Sequence, residues 1–134
     1  MVNISKNELP PEKQQALFTE LSQCIGKLDA AQAPVFLTAL LGPEEQVMLA
    51  KRLVGIILLA HGKSVYTVSQ HLHLSTATVS KLHHELQKGT YDQLLDILQA
   101  RPIRYTDLLN TIDSILHFGG ILPHYGDTRF KRRR

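Results

Sequence analysis

The chain has 134 residues, a formal net charge of +3 and one cysteine, Cys24. That length supports one domain with a real core and leaves little room for a second, while a lone cysteine excludes an intramolecular disulfide. The polar N-terminal stretch lacks a charged-then-apolar signal pattern, and the longest apolar run, Leu53 to Ala60, falls far short of the roughly 20 residues of a membrane span. The expectation is a cytoplasmic protein without a membrane partner.

Charge is unevenly placed along the sequence. The last ten residues carry Arg129, Lys131, Arg132, Arg133 and Arg134 against Asp127, a local +4, and the other 124 residues hold 10 basic and 11 acidic side chains. The basicity therefore belongs to the tail, and an anion-binding surface elsewhere needs local clustering or help from that tail.

In chain order, Pro10-Pro11-Glu12 starts a first helix, with proline in the first turn and an acid complementing the helix dipole. It is expected to run to Leu28, with Leu17, Leu21, Cys24 and Leu28 on one face. Pro34 opens a short helix through Leu40. Gly42-Pro43-Glu44-Glu45 starts another that continues to His61 before Gly62. Val47, Met48, Leu49, Leu53, Val54 and Ile56 to Leu59 wrap almost all the way round this helix, so most of its sides must be covered, and in so small a chain that calls for a partner subunit.

Ser64 to Leu86 has the layout of a helix-turn-helix. Val65, Val68 and Leu72 share one face of a first helix, a tight turn of about four residues falls around His73 and Leu74, and Val79, Leu82 and Leu86 share one face of a second helix beginning near Ser75. The turn position at His73 tends to need positive φ, where glycine is usual and histidine is tolerated at some cost. Gly89 stops the second helix. Tyr91 to Leu98 and Thr106 to Phe118 are further helices separated by Arg101-Pro102, and Gly119-Gly120 ends the pattern. No strand pattern or internal repeat stands out. The expected fold is all-α, with residues 1–120 a single helical DNA-binding domain, the motif at 64–88, and residues 121–134 a basic, mobile tail.

Leu41-Gly42-Pro43-Glu44-Glu45 before a long helix, Arg52 within it, Gly62 at its end and Ser75-Thr76-Ala77-Thr78-Val79-Ser80-Lys81 opening the second motif helix carry a resemblance. From Leu41 to Gly89 the chain resembles the tryptophan-repressor superfamily, particularly its YerC/YecD-like branch. The resemblance implies an intertwined helical homodimer on palindromic operator DNA, its two reading heads about one DNA turn, roughly 34 Å, apart. In tryptophan repressors the indole lies between two arginines, beside a glycine that leaves room for the ring. Arg52 matches the first arginine, whereas Lys81 stands at the second and Leu82 at the glycine. An ammonium lacks the flat face that stacks on a ring, and leucine fills the space. Tryptophan binding is therefore expected to be absent, with Arg52 and Lys81 the remnant of an effector pocket whose ligand, if any, the sequence does not name.

With Val79 at the centre of the buried face, Ala77, Lys81, His84 and Lys88 point the opposite way, flanked by Thr76 and Ser80 on one side and by Thr78 and Glu85 on the other. The base-reading candidates are Thr76, Ala77, Thr78, Ser80 and Lys81, with Lys81 suited to guanine and Ala77 to a thymine methyl. Ser75 is the expected N-cap, and the amides behind it suit a phosphate. Lys63, Gln70, His84, Lys88 and the tail residues Arg129, Lys131, Arg132, Arg133 and Arg134 are the other phosphate-binding candidates. The bland alternative for the same residues is a good cap, a solvated lysine and a non-specific tail. Seven histidines raise the question of a metal, but His71, His73, His83 and His84 have no HxxxH spacing and no CxxC accompanies them, so no metal or other cofactor is expected. His83 faces inward as a packed or dimer-contact residue. No catalytic triad, carboxylate pair or phosphate loop points to an enzyme.

These readings converge on a sequence-specific DNA-binding transcriptional regulator, a repressor, acting on double-stranded DNA as a homodimer. Two alternatives stay open: a helical dimerisation or interaction module that has lost base reading, and a tail-driven, non-specific nucleic-acid binder.

Overall fold

A computed structural model describes residues 8–100 and 102–117, which form seven α-helices and no strand. The chain divides into two compact units, one up to Met48 and the other from Leu49.

In the first unit, local hydrogen bonding sets each helix end. Helix α1, Pro11–Gly26, starts on Pro10, whose carbonyl accepts from the amides of Lys13 and Gln14. It stops two residues before Leu28, because the amides of Lys27 and Leu28 turn to the carbonyls of Cys24 and Ile25 and tighten the last turn. Helix α2, Gln32–Leu40, begins ahead of Pro34. The Gln32 amide donates to Asp29 Oδ1 at 2.8 Å and the Asp29 amide to Gln32 Oε1 at 3.2 Å, a reciprocal capping box. Pro34 therefore sits inside the first turn, where its missing N–H costs nothing. The next helix, α3, Pro43–Ala60, opens in a related way: the Gly42 amide donates to Glu45 Oε1 at 2.8 Å.

None of this local order comes with burial. Helices α1 and α2 have no buried residue, and on α3 burial starts only at Gly55. Leu53, the first residue of the apolar run that ends at Ala60, stays 37% exposed, and burial along that run starts two residues later.

The second unit holds the core. Ile56, Ile57, Leu58 and Leu59 of α3 are covered on all sides, together with Val68 and Leu72 of α4 (Val65–Leu72), Val79 and Leu82 of α5 (Thr76–Gln87), Leu95 of α6 (Asp92–Gln99), and Tyr105, Leu109 and Ile112 of α7 (Pro102–Leu116). Each fully buried aliphatic side chain stabilises the fold by about 1.5–3 kcal/mol. Gly55 lets α3 approach closely: a Cβ there would lie 3.3 Å from Leu82 Cδ1 and 3.6 Å from Leu72 Cδ1.

Helix α7 begins at Pro102, four residues before the Thr106 expected from the sequence. Arg101-Pro102 reads as a separator, yet a proline with its preset φ also suits the first position of a helix, and here it opens one. Its last helical residue is Leu116, with His117 left-handed at φ 57°. Near the start of α7, Tyr105 meets the end of α3: Tyr105 Oη and His61 Nε2 share a 2.7 Å hydrogen bond, with the rings stacked 5.9 Å apart. Burial, helped by the Lys63 charge, lowers the His61 pKa to about 4, and burial raises that of Tyr105, so both groups are neutral at pH 7.

No helix among the described residues is long and apolar enough to cross a membrane.

Candidate nucleic-acid interface

Helices α4 and α5 start with the same local sequence device. Ser64-Val65-Tyr66-Thr67-Val68 and Ser75-Thr76-Ala77-Thr78-Val79 both read S-x-x-T-V. In each, the serine Oγ accepts from the threonine amide at 3.1 Å and donates to the threonine hydroxyl at 2.8 Å. The cap ends the run of extended backbone and begins the helix, and the following valine, Val68 or Val79, is completely buried. Ser75 is thus the N-cap expected from the sequence. Its hydroxyl is used by Thr78, which leaves the amides that follow as the groups able to meet an anion.

Three residues, His73, Leu74 and Ser75, join the two helices, one fewer than expected. His73 takes up the left-handed conformation, φ 52° and ψ 48°, as its turn position requires. Ser69 holds this turn. The residue is 6% exposed; its carbonyl accepts from the amides of His73 and Leu74, and its hydroxyl donates to the Leu74 carbonyl at 2.7 Å. The remaining carbonyl, that of His73, accepts from Lys51 Nζ at 3.4 Å. Sequence reasoning missed both Ser69 and Lys51. A polar residue on the buried face five positions before Leu74 was a visible signal for Ser69, whereas Lys51 lies 22 residues from His73 and left no sequence signal.

The surface of α5 opposite Val79 and Leu82 carries Thr76, Ala77, Thr78, Ser80, Lys81, His84 and Lys88, all exposed. No carboxylate interrupts it before Glu85. Glu85 accepts from the Thr90 hydroxyl at 2.7 Å and pairs with Lys88 at 3.6 Å; these two partners, the hydroxyl first, hold its carboxyl below the usual range. Lys88 is therefore partly neutralised within the helix, though an exposed i,i+3 pair is weak enough for an external anion to compete. Among the other candidates, Gln70 on α4 is exposed and Lys63, before α4, is half-buried. His83 is half-buried, and His71 Nδ1 bonds the Thr67 carbonyl at 2.9 Å.

Arg52 and Lys81 are both exposed, while Leu82 is buried against Gly55. The space beside α5 that a small residue would leave open is filled by the chain's own leucine.

Taken segment by segment, charge is more sharply divided than the near-neutral body suggests. Residues 49–89 contain Lys51, Arg52, Lys63, Lys81 and Lys88 against Glu85, a net +4. Residues 8–48 contain Lys13 and Lys27 against Glu8, Glu12, Glu20, Asp29, Glu44 and Glu45, a net −4. Residues 90–117 have Arg101 and Arg104 against four aspartates, a net −2. Averaging over the body hides this; counting element by element reveals it. The tail candidates Arg129, Lys131, Arg132, Arg133 and Arg134 lie outside the described residues.

No family model, no curated protein and no solved structure matches this chain.

Proposed function

We propose that this protein is a sequence-specific DNA-binding transcriptional regulator, a cytoplasmic repressor of the tryptophan-repressor type, that reads operator DNA as a homodimer and catalyses no reaction. The observation that carries this reading is the exposed surface of α5: a Ser/Thr-rich, carboxylate-free stretch from Thr76 to His84, capped by Ser75 and set on a buried Val79–Leu82 face. In this reading α5 enters the major groove N-terminus first. Thr76, Ala77, Thr78, Ser80 and Lys81 meet base edges; Gln70, Lys63, His84, Lys88 and the amides behind Ser75 meet phosphates. The +4 concentrated in residues 49–89 supplies the attraction to the duplex.

The dimer is supported by the apolar side chains that the single chain leaves open on α1, α2 and the first half of α3, including Phe18, Val35, Leu40 and Met48. A regulator that ignores tryptophan is supported by Leu82 packed on Gly55 and by an ammonium at Lys81.

Duplexes selected from a random pool test this reading. Palindromic half-sites are expected, with Lys81→Ala losing about 1–3 kcal/mol of discrimination at one base pair, read by anisotropy titration. A second reading, an interaction module, draws on the same uncovered helices; absence of duplex binding by the wild type in low salt would establish it over DNA reading. Binding that survives Lys81→Ala unchanged but disappears in a chain ending at Asp127 identifies a tail-driven nucleic-acid binder instead.

A further inference from the structure

We infer that Lys51, on α3 and outside the α4–α5 unit, is a phosphate-contacting residue of the DNA surface. This inference rests on the DNA-binding reading above and adds to it a residue from a third helix.

The geometry begins with where the side chain is held. Lys51 is half-buried, and its Nζ lies 3.4 Å from the His73 carbonyl, in the turn that leads directly into α5. The hydrogen bond to the His73 carbonyl places the charge at the start of the proposed reading surface. The ammonium has three donors, and the His73 carbonyl takes one of them at the long end of hydrogen-bonding distance. No carboxylate among the described residues pairs with it. A cation placed at a turn with only a neutral acceptor keeps most of its charge for an external anion. A nucleic-acid phosphate suits it, since an ammonium binds phosphate as a point charge without demanding planar geometry.

Its surroundings favour the same ligand. Arg52 is adjacent and exposed, and in residues 49–89 the only acid, Glu85, lies near the far end of α5, already engaged by Thr90 and Lys88. Lys51 therefore adds charge at the end of α5 that leads into the groove, where Thr76 offers a hydroxyl and the residues behind Ser75 offer amides, but none offers a charge. A contact of this kind fixes register on the duplex and carries no sequence information.

The test uses the full chain, a selected duplex and a random-sequence duplex, with anisotropy titrations between about 50 and 300 mM KCl, a range over which phosphate contacts are resolved. Lys51→Gln should weaken both duplexes by the same factor and flatten the slope of log affinity against log salt by about 0.9 for each Lys51 engaged. Lys51→Arg should retain both affinity and slope. Lys27→Gln, a loss of one charge on the acidic first unit, should change neither. Wild-type binding with an unaltered salt slope in Lys51→Gln overturns the inference and leaves the DNA reading standing. So does a loss of affinity in Lys51→Gln that keeps the wild-type slope and follows lowered thermal stability, since that marks a residue that only braces the turn. Failure of the wild type to bind either duplex removes the DNA reading and this inference together.

Discussion

Residues 8–48 and residues 49–117 are both helical, with well-formed caps, yet they solve the problem of their apolar side chains differently. In the second unit, Leu, Ile and Val from five helices close over one another, and Ile57, Leu58, Val68, Val79 and Leu109 are completely buried. In the first, Leu17, Phe18, Ile25, Val35, Leu37 and Leu40 remain between 39% and 70% exposed, and no helical residue up to Leu40 is buried. Helices of 16 and 9 residues are marginal in water without an apolar face to bury. Caps such as the Asp29–Gln32 pair each contribute about 1 kcal/mol, too little to replace a core. The difference teaches that the second unit's stability is internal, and that the first unit's must come from something it covers. The net charges, −4 for residues 8–48 and +2 for residues 49–117, divide the chain in the same way.

A pair of substitutions breaks or sharpens that contrast most directly. Leu109→Ala, in the sealed core, should cost about 2–5 kcal/mol in denaturant unfolding, because the methyl groups it removes leave a cavity. Phe18→Asp, on the open face of α1, would be nearly silent in an isolated chain. If a second copy covers that face, the same change raises the dimer dissociation constant at least tenfold, or about 1.4 kcal/mol. Sedimentation equilibrium reads the result as a shift from twice 15.1 kDa toward 15.1 kDa. A wild-type chain that is monomeric at tens of micromolar and indifferent to Phe18→Asp would remove the homodimer.

Legibility in the sequence follows the distance over which each feature is determined. The helix starts at Pro11 and Pro43, the cap at Ser75 and the left-handed turn at His73 depend on neighbours within four residues, and all are visible in the string. The Asp29–Gln32 capping box is equally local, but Pro34, two residues later, is the stronger start signal in the string. The first turn of α7 was misplaced because proline both separates and starts helices, and only its surroundings decide which. What could not be read was the approach of Gly55 to Leu82, 27 positions later, or of Lys51 to His73. A glycine inside an apolar helix and a lysine beside an arginine look the same whether they face solvent or a crossing helix. The candidate surface on α5 was thus readable from periodicity, while the residues that position it were not.

Acid provides a gentler way to separate the units. Residues 8–48 contain no histidine, whereas the second unit ties α3 to α7 through neutral His61. Its pKa falls from an ordinary 6.5 to about 4 on folding, so the unfolded chain binds the proton first as pH drops. The contribution is complete above about pH 6.5 and is lost progressively toward pH 4. Relative to His61→Gln, which can still bond the Tyr105 hydroxyl but cannot titrate, wild type should lose on the order of 1 kcal/mol between pH 7 and pH 5, a figure discounted for partial solvent exposure. Parallel stability curves for the two proteins across that range would show that the His61–Tyr105 contact does not hold the unit closed.

The smallest effect probes a helix end where the second unit has a histidine in place of glycine. Three of its helices end in a left-handed residue followed by an amide that reaches back five positions: Lys63 to Leu58, Leu74 to Ser69 and Thr90 to Glu85. At two of these ends the left-handed residue is glycine, Gly62 at φ 86° and Gly89 at φ 87°; at the third it is His73. A Cβ in this conformation costs about 1–2 kcal/mol, less for histidine than for a branched residue. His73→Gly relieves that strain, but glycine also gives the unfolded chain more freedom to lose. The expected balance is a gain of about 0.5 kcal/mol, seen as a higher denaturant midpoint at unchanged m-value. Because the His73 side chain is exposed and the bonds from Ser69 and Lys51 involve its backbone, the turn itself is preserved. A net loss of stability would mean that the imidazole contributes more than its strained backbone costs, and would make His73 a chosen residue of the α4–α5 surface rather than a tolerated one.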